Sequence, residues 1–260
     1  MSFKSWLSYS DFSKRSCSKL RYILDNESRD FLNSINDTCN ERIKTLKAGS
    51  VVWRAQTGCD KVNASGNGEQ EFHVDERIPF LFDRMKPLTN SASEGRANPK
   101  GVPCLYIAAD EKTAIHEVRP WPGLVVTIAQ LHLIKDVKLI DFSETTDAKQ
   151  YPYFFFGEPS IEQRIEAVWT AMDIAFSWPV TESDSKSEYA PTQIISEFIK
   201  SKGYDGIIYK SYLTQGHNYV LFNLNGAAVV KCDLFVVSKV KFDFERLDEN
   251  SSLTVEHGNT

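Results

Sequence analysis

The chain has 260 residues, enough to bury a sizeable core as one large domain or as one domain with an appendage. Its apolar share of 42% and charged share of 25% are ordinary for a globular protein, and a formal net charge of −5 argues against a nucleic-acid binder that works through a wide basic surface. No stretch approaches the roughly 18 consecutive apolar residues of a membrane span, and the first residues lack the apolar run of a secretion signal, so a cytoplasmic chain without a membrane partner is expected. Cys17, Cys39, Cys59, Cys104 and Cys232 are far apart, odd in number and form no CxxC pair, which speaks against a zinc site or a disulfide framework.

Residues 1–48 read as helical. Phe31, Leu32, Ile35, Cys39, Ile43 and Leu46 recur at near-helical spacing and form one apolar stripe, expected to pack on the main domain. Val51 to Gln56 reads as a strand that places Trp53 and Ala55 on one face, Arg54 and Gln56 on the other. Residues 58–70, rich in Gly, Asn and Ser, read as a loop, and 79–101 as mostly irregular chain of the kind that often carries function. Pro103 to Ala109 reads as a strand, after which Asp110 caps a short helix that runs to about Val118 and stops at Pro120 and Pro122. Strands are expected at 124–129 and 137–142, a helix at 159–176 and a polar loop at 181–188. Pro191 opens the next helix and Gly203 closes it. Strands follow at 206–209, 219–222 and 235–244, and the chain ends in a polar tail. Strands and helices mix without strict βαβ alternation, which predicts an α+β fold. The expected division is a helical extension over 1–48, a main domain over 49–246 and a polar tail over 247–260.

Four residues at element edges are the candidate chemistry. Arg54 sits in a strand, and Arg96 in a loop between Gly95 and Ala97-Asn98-Pro99, where backbone can approach a ligand closely. A guanidinium fork suits bidentate phosphate binding. Glu117 lies late in its helix beside the stripe made by Ala114 and Val118, and Ser211 ends an apolar strand before a polar loop. No GxSxG surrounds Ser211, so its hydroxyl reads as a hydrogen-bond partner for a sugar or for the glutamate rather than as a nucleophile. His116-Glu117 begins like HExxH, but the fifth position is Pro120, so no metal is expected. Neither GxGxxG nor GxxxxGK[ST] occurs, which removes support for a dinucleotide fold of the Rossmann type and for a P-loop.

In order and combination these segments resemble the RES family, named for its Arg, Glu and Ser. The resemblance runs through Trp53-Arg54-Ala55, Gly95 to Gly101, Leu105-Tyr106-Ile107-Ala108, Thr113 to Trp121, Pro191-Thr192-Gln193, Tyr204 to Ser211 and Asn218 to Phe222. It covers roughly residues 50–225, and the N-terminal segment lies outside it. The resemblance implies a fold similar to ADP-ribosyltransferases, with a split β core and flanking helices. It also implies consumption of NAD+, since characterised members consume it and many are toxins of bacterial toxin–antitoxin pairs. Arg54 and Arg96 would then bind the NAD+ phosphates, Tyr106 would line the nicotinamide side of the pocket, Glu117 would be the catalytic carboxylate and Ser211 would complete the site. Asn218 and Arg119 are supporting candidates.

The chemistry suits these residue types. Breaking the N-glycosidic bond of NAD+ expels neutral nicotinamide and leaves an oxocarbenium-like ribose that a fixed carboxylate favours. The acceptor stays open: inorganic phosphate as a candidate co-substrate, water, or a side chain. The leading expectation is therefore an NAD+ phosphorylase or glycohydrolase that needs no cofactor, has NAD+ as substrate and pairs with an antitoxin protein. The alternatives are a mono-ADP-ribosyltransferase acting on a protein and a non-catalytic nucleotide-binding module.

Overall fold

Alternation of apolar residues assigns the faces of the main sheet. The computed structural model describes residues 2–64, 74–89, 91–144, 157, 159–178, 186–241 and 243–244. Among them, eight strands form one mixed sheet in the order β1-β7-β8-β9-β5-β2-β6-β10, and β3-β4 form a separate ribbon. The strands are β1 (Ile43–Leu46), β2 (Val51–Thr57), β3 (Asp60–Ala64), β4 (Val74–Ile78), β5 (Leu105–Ala108), β6 (Val125–Leu133), β7 (Val137–Asp141), β8 (Gly206–Lys210), β9 (His217–Leu221) and β10 (Ala227–Val236). The helices are α1 (Ser8–Ser18), α2 (Asn26–Thr38), α3 (Glu111–Glu117), α4 (Ile161–Ser177) and α5 (Ala190–Ser201). Ile140, Ile207 and Val220 point to the face packed by α1, α2, α4 and α5, while their neighbours Leu139, Ile208 and Leu221 point to the other.

The sheet is split. β2 pairs with β6 from Val51 to Thr57, and β5 pairs with β9 from Leu105 to Ala108, but β2 and β5 meet at Trp53 and Ala108 alone. Two half-sheets therefore diverge along a seam between β2 and β5. This is the expected α+β class with a divided β core.

The N-terminal helices dock on the main domain. Phe3, Phe12, Phe31, Leu32 and Ile35 share one buried cluster with Phe142, Trp169, Ile195 and Ile207. Trp169 joins the two parts: its indole N–H donates to Thr38 Oγ1 at 3.1 Å, the Arg42 guanidinium lies 4.7 Å over its ring, and Phe142 packs at 5.1 Å. Trp169→Phe deletes the hydrogen bond and weakens the cation–π contact while keeping an aromatic ring. It is expected to lower unfolding stability by about 1–2 kcal/mol, read as a lower urea midpoint with an unchanged slope.

Three expectations are corrected. The helical reading to residue 48 stops early: α2 ends at Thr38, and after a 3-10 turn Ile43–Leu46 form β1, paired antiparallel with β7. Ile43 and Leu46 are spaced i, i+3, too short a run to separate helix from strand, and the β7 edge supplies the backbone partners. The loop expected over 58–70 contains β3, whose polar sequence Asp60-Lys61-Val62-Asn63-Ala64 pairs with β4 outside the main sheet; residues 65–70 lie outside the described residues. The last strand is Ala227–Val236, not 235–244. It follows β6 until Val236 meets Val125, where β6 begins, and after Val237 bonds to the 123–124 turn the ladder ends. Of the loop expected at 181–188, residues 181–185 lie outside the described residues and 186–189 form a 3-10 turn. The tail over 247–260 also lies outside them.

Candidate active site

The seam is where the candidate residues meet. With β2 and β5 diverging, the Tyr106 carbonyl is taken by a side chain: Arg54 Nη1 donates to it at 2.7 Å. The Arg54 Nε is buried and has no hydrogen-bond partner. Burial pulls the guanidinium down to about 10 from its usual value above 12. A buried cation with an unused donor is a standing attraction for an anion.

Glu117 faces Arg54 across a cavity of about 300 Å³, with Tyr106 to Ala108, Tyr209 and Asn218 also in its wall. Both Ser211 Oγ and Asn218 Nδ2 donate to Glu117 Oε1 at 2.7 Å. Ser211 and Asn218 are buried, whereas Glu117 itself is exposed to the cleft. Two fixed donors on one oxygen orient the carboxylate without neutralising it.

Local folding explains how Glu117 reaches Ser211. Asp110 caps α3 by accepting from Thr113 N at 2.8 Å, as its sequence position predicts. In the same first turn Thr113 Oγ1 meets Thr214 Oγ1 at 2.9 Å. That contact clamps the 211–216 loop to the start of α3, while the end of α3 presents Glu117 to Ser211. Gly216 is required by this close approach, because a Cβ there would lie 2.0 Å from Thr113 Oγ1. Arg119, just beyond α3, adopts a left-handed backbone with φ 45°, a conformation that usually favours glycine.

The Arg96 loop is built rather than loose. Gly95 and Asn98 exchange backbone hydrogen bonds, and Asn98 Nδ2 donates to the carbonyls of Ser93, Pro99 and Val102. Tyr106 Oη donates to Asn98 Oδ1 at 2.7 Å and accepts from Ala97 N at 3.0 Å. Burial holds the Tyr106 phenol above its ordinary pKa, so its hydroxyl serves this loop as a neutral hydrogen-bonding group. The Arg96 guanidinium donates to the Phe176 carbonyl near the end of α4. It lies near Tyr106 and Tyr209, but it does not line either cavity at the seam. The structure thus brings Arg54, Tyr106, Glu117, Ser211 and Asn218 to one place and sets Arg96 behind the tyrosine wall.

One supporting residue escaped the sequence reading. Asp173 of α4 is buried and accepts from Lys210 N at 3.1 Å, fixing the backbone next to Ser211. An acid on an otherwise apolar helix stripe at Trp169, Met172 and Phe176 was the available signal. Burial raises its pKa above 3.8, so the folded state binds the proton more tightly than the unfolded chain. Its contribution to stability therefore falls as pH rises through the interval above 3.8. Asp173→Asn keeps an acceptor for Lys210 N and removes the charge. It is expected to leave stability at neutral pH equal or higher and to remove the part of the curve that falls as pH rises, measured by urea unfolding between about pH 4 and 7.

An α+β sheet that opens at a seam into a cleft holding a guanidinium and an oriented carboxylate defines the kind of protein this is. The chain belongs to the RES domain family, whose model matches residues 74–245, well over half of it. The match includes Arg96, Tyr106, Glu117, Ser211 and Asn218, and Arg54 precedes it. A chain in the crystal structure of the M. tuberculosis MbcT–MbcA toxin–antitoxin complex is similar at 14% identity and a TM-score of 0.41, over 76% of this chain and 90% of that one. No curated protein matches the chain. Among the described residues no helix is long and apolar enough to cross a membrane.

Proposed function

We propose that the protein is an NAD+-degrading enzyme that cleaves the N-glycosidic bond and releases nicotinamide, as a phosphorylase or glycohydrolase, and that it acts as the toxin of a toxin–antitoxin pair. Membership of the RES family supports the substrate class. The observation that carries the reading is the Glu117 carboxylate, oriented by Ser211 and Asn218 across the cleft from half-buried Arg54. The bond between nicotinamide nitrogen and ribose C1 breaks, and its electron pair leaves with the ring as neutral nicotinamide. Glu117 stabilises the positive charge that develops on the ribose. Arg54 binds the pyrophosphate, so remote binding energy orients the reacting sugar. The ribose carbon then takes an oxygen from inorganic phosphate, giving ADP-ribose 1-phosphate, or from water, giving ADP-ribose and a proton.

Mass spectrometry of the products from NAD+ in phosphate buffer and in phosphate-free buffer tests the acceptor. A phosphorylated sugar only in phosphate supports the phosphorylase, and free ADP-ribose in both supports the glycohydrolase. Label from NAD+ appearing on a macromolecule, with neither small product, contradicts both and favours a mono-ADP-ribosyltransferase. The toxin role predicts that expression of the wild-type chain arrests growth and that Glu117→Ala does not. An antitoxin partner would restore growth.

A further inference from the structure

The cleft at the seam has a second, larger lobe. Its volume is about 610 Å³, against about 300 Å³ for the lobe holding Glu117, and Arg54 and Tyr106 line both. Arg54 and Tyr106 therefore stand between the two lobes as a waist, and the buried Arg54 Nε lacks a partner. Their charges differ. The smaller lobe carries Arg54 and Glu117, which balance. The larger lobe carries Arg54, Arg84 and Lys86 against Asp83 alone, so it is net cationic.

Arg84 and Lys86 come from the segment 82–88, part of the stretch expected to be mostly irregular chain. A 3-10 turn from Phe82 to Met85 fixes it, with Met85 fully buried and Gln56 Nε2 donating to the Arg84 carbonyl at 3.1 Å. The Arg84 guanidinium stacks 3.8 Å from the Phe80 ring centroid and reaches Asp60 only at 3.7 Å, with its side chain 60% exposed. This is a loose ion pair that an incoming phosphate can replace.

We infer that the larger lobe is the site for the adenylate half of the dinucleotide, with Arg84 and Lys86 holding its phosphate side beyond Arg54. The inference rests on the NAD+ reading above and adds the pose: nicotinamide and its ribose in the Glu117 lobe, the pyrophosphate at the Arg54 waist, the adenosine in the cationic lobe. Substrate choice follows from that division. The small, charge-balanced lobe suits a sugar that becomes cationic, and the large cationic lobe suits the permanent anion.

The test is direct binding of AMP to the full chain by calorimetry, beside Arg84→Gln/Lys86→Gln. AMP lacks the nicotinamide half, so it reports the larger lobe without any turnover. The expected result is that AMP binds the wild-type chain, that it competes with NAD+, and that the double variant binds it at least tenfold more weakly. Lys86→Gln alone, which leaves the Arg84 contacts with Phe80 and Asp60 in place, is expected to weaken AMP severalfold and guards against a folding defect. Equal affinity in wild type and both variants would overturn the inference, as would no AMP binding by the wild-type chain at millimolar concentration. Nicotinamide release from NAD+ is measured alongside. A wild-type chain that binds AMP in this lobe but releases no nicotinamide would overturn the proposed activity and leave the nucleotide site standing.

Discussion

Glu117→Gln is expected to lower nicotinamide release from NAD+ by about 100- to 1,000-fold, roughly 3–4 kcal/mol of barrier, with the fold intact. Glutamine keeps the shape and an oxygen acceptor for Ser211 Oγ and Asn218 Nδ2, both of which sit 2.7 Å from Oε1. Only the negative charge is removed, so the variant isolates electrostatic stabilisation of the ribose cation from positioning. Glu117 is exposed and contributes nothing to the buried clusters, so melting temperature is expected to move by no more than a degree or two. The loss belongs in kcat, because the charge it answers exists only in the transition state. A variant that retains wild-type kcat would show that Glu117 does not act on the reacting sugar. A rise in KM with kcat unchanged would assign it to binding alone.

Arg54→Met is expected to move activity and stability in opposite directions. In the free protein Arg54 is half-buried, its buried Nε has no partner and its single hydrogen bond goes to the Tyr106 carbonyl. Its lowered pKa, near 10, has the same origin: burial penalises the charged form. Replacing an incompletely paired buried ion by an apolar side chain of similar reach is commonly neutral or stabilising by about 1–4 kcal/mol. Tyr106 lines both lobes, so water in the cleft can take over the lost carbonyl bond. The variant is therefore expected to unfold at the same temperature or several degrees higher. Its kcat/KM for NAD+ is expected to fall by about 10- to 100-fold, the worth of charge-assisted hydrogen bonds to a phosphate. A strongly destabilised variant would mean that Arg54 serves the seam structurally. Undiminished turnover would mean that the pyrophosphate lies elsewhere. Pyrophosphate itself should raise the melting temperature of the wild-type chain and not that of the variant.

The parts of this site that could be read from sequence are those with local causes. α3 is bracketed by Asp110 and Pro120, and its Ala114–Val118 stripe leaves Glu117 at the rim, so the helix and its carboxylate were both legible. Trp53, Arg54 and Ala55 declare their faces through a period of two. What escaped depends on distant partners. The sequence offered Glu117 as one of two partners for the Ser211 hydroxyl, but not the Thr113–Thr214 clamp that brings the two together across 101 residues. Nothing in either segment alone marks them as neighbours. The seam is likewise a property of the sheet: β2 and β5 each look like ordinary strands, and only their meeting at one pair, Trp53 and Ala108, shows the opening. Arg96 illustrates the reverse case. A guanidinium between Gly95 and Asn98 suggests phosphate, yet its hydrogen bond goes to the Phe176 carbonyl on a helix 80 residues away. The limits of β10 are set by its pairing with β6 and the turn before it, not by its own apolar content.

Cleavage of NAD+ in this cleft through Glu117 is the proposal on which the other expectations depend. The most direct measurement is nicotinamide release from NAD+ by the purified chain, with and without inorganic phosphate, beside Glu117→Gln. Release by the wild-type protein and a loss of about 100-fold or more in the variant are expected, with phosphate dependence identifying the acceptor. Absence of release by a folded wild-type chain under both conditions, or equal release by the variant, would contradict the proposal.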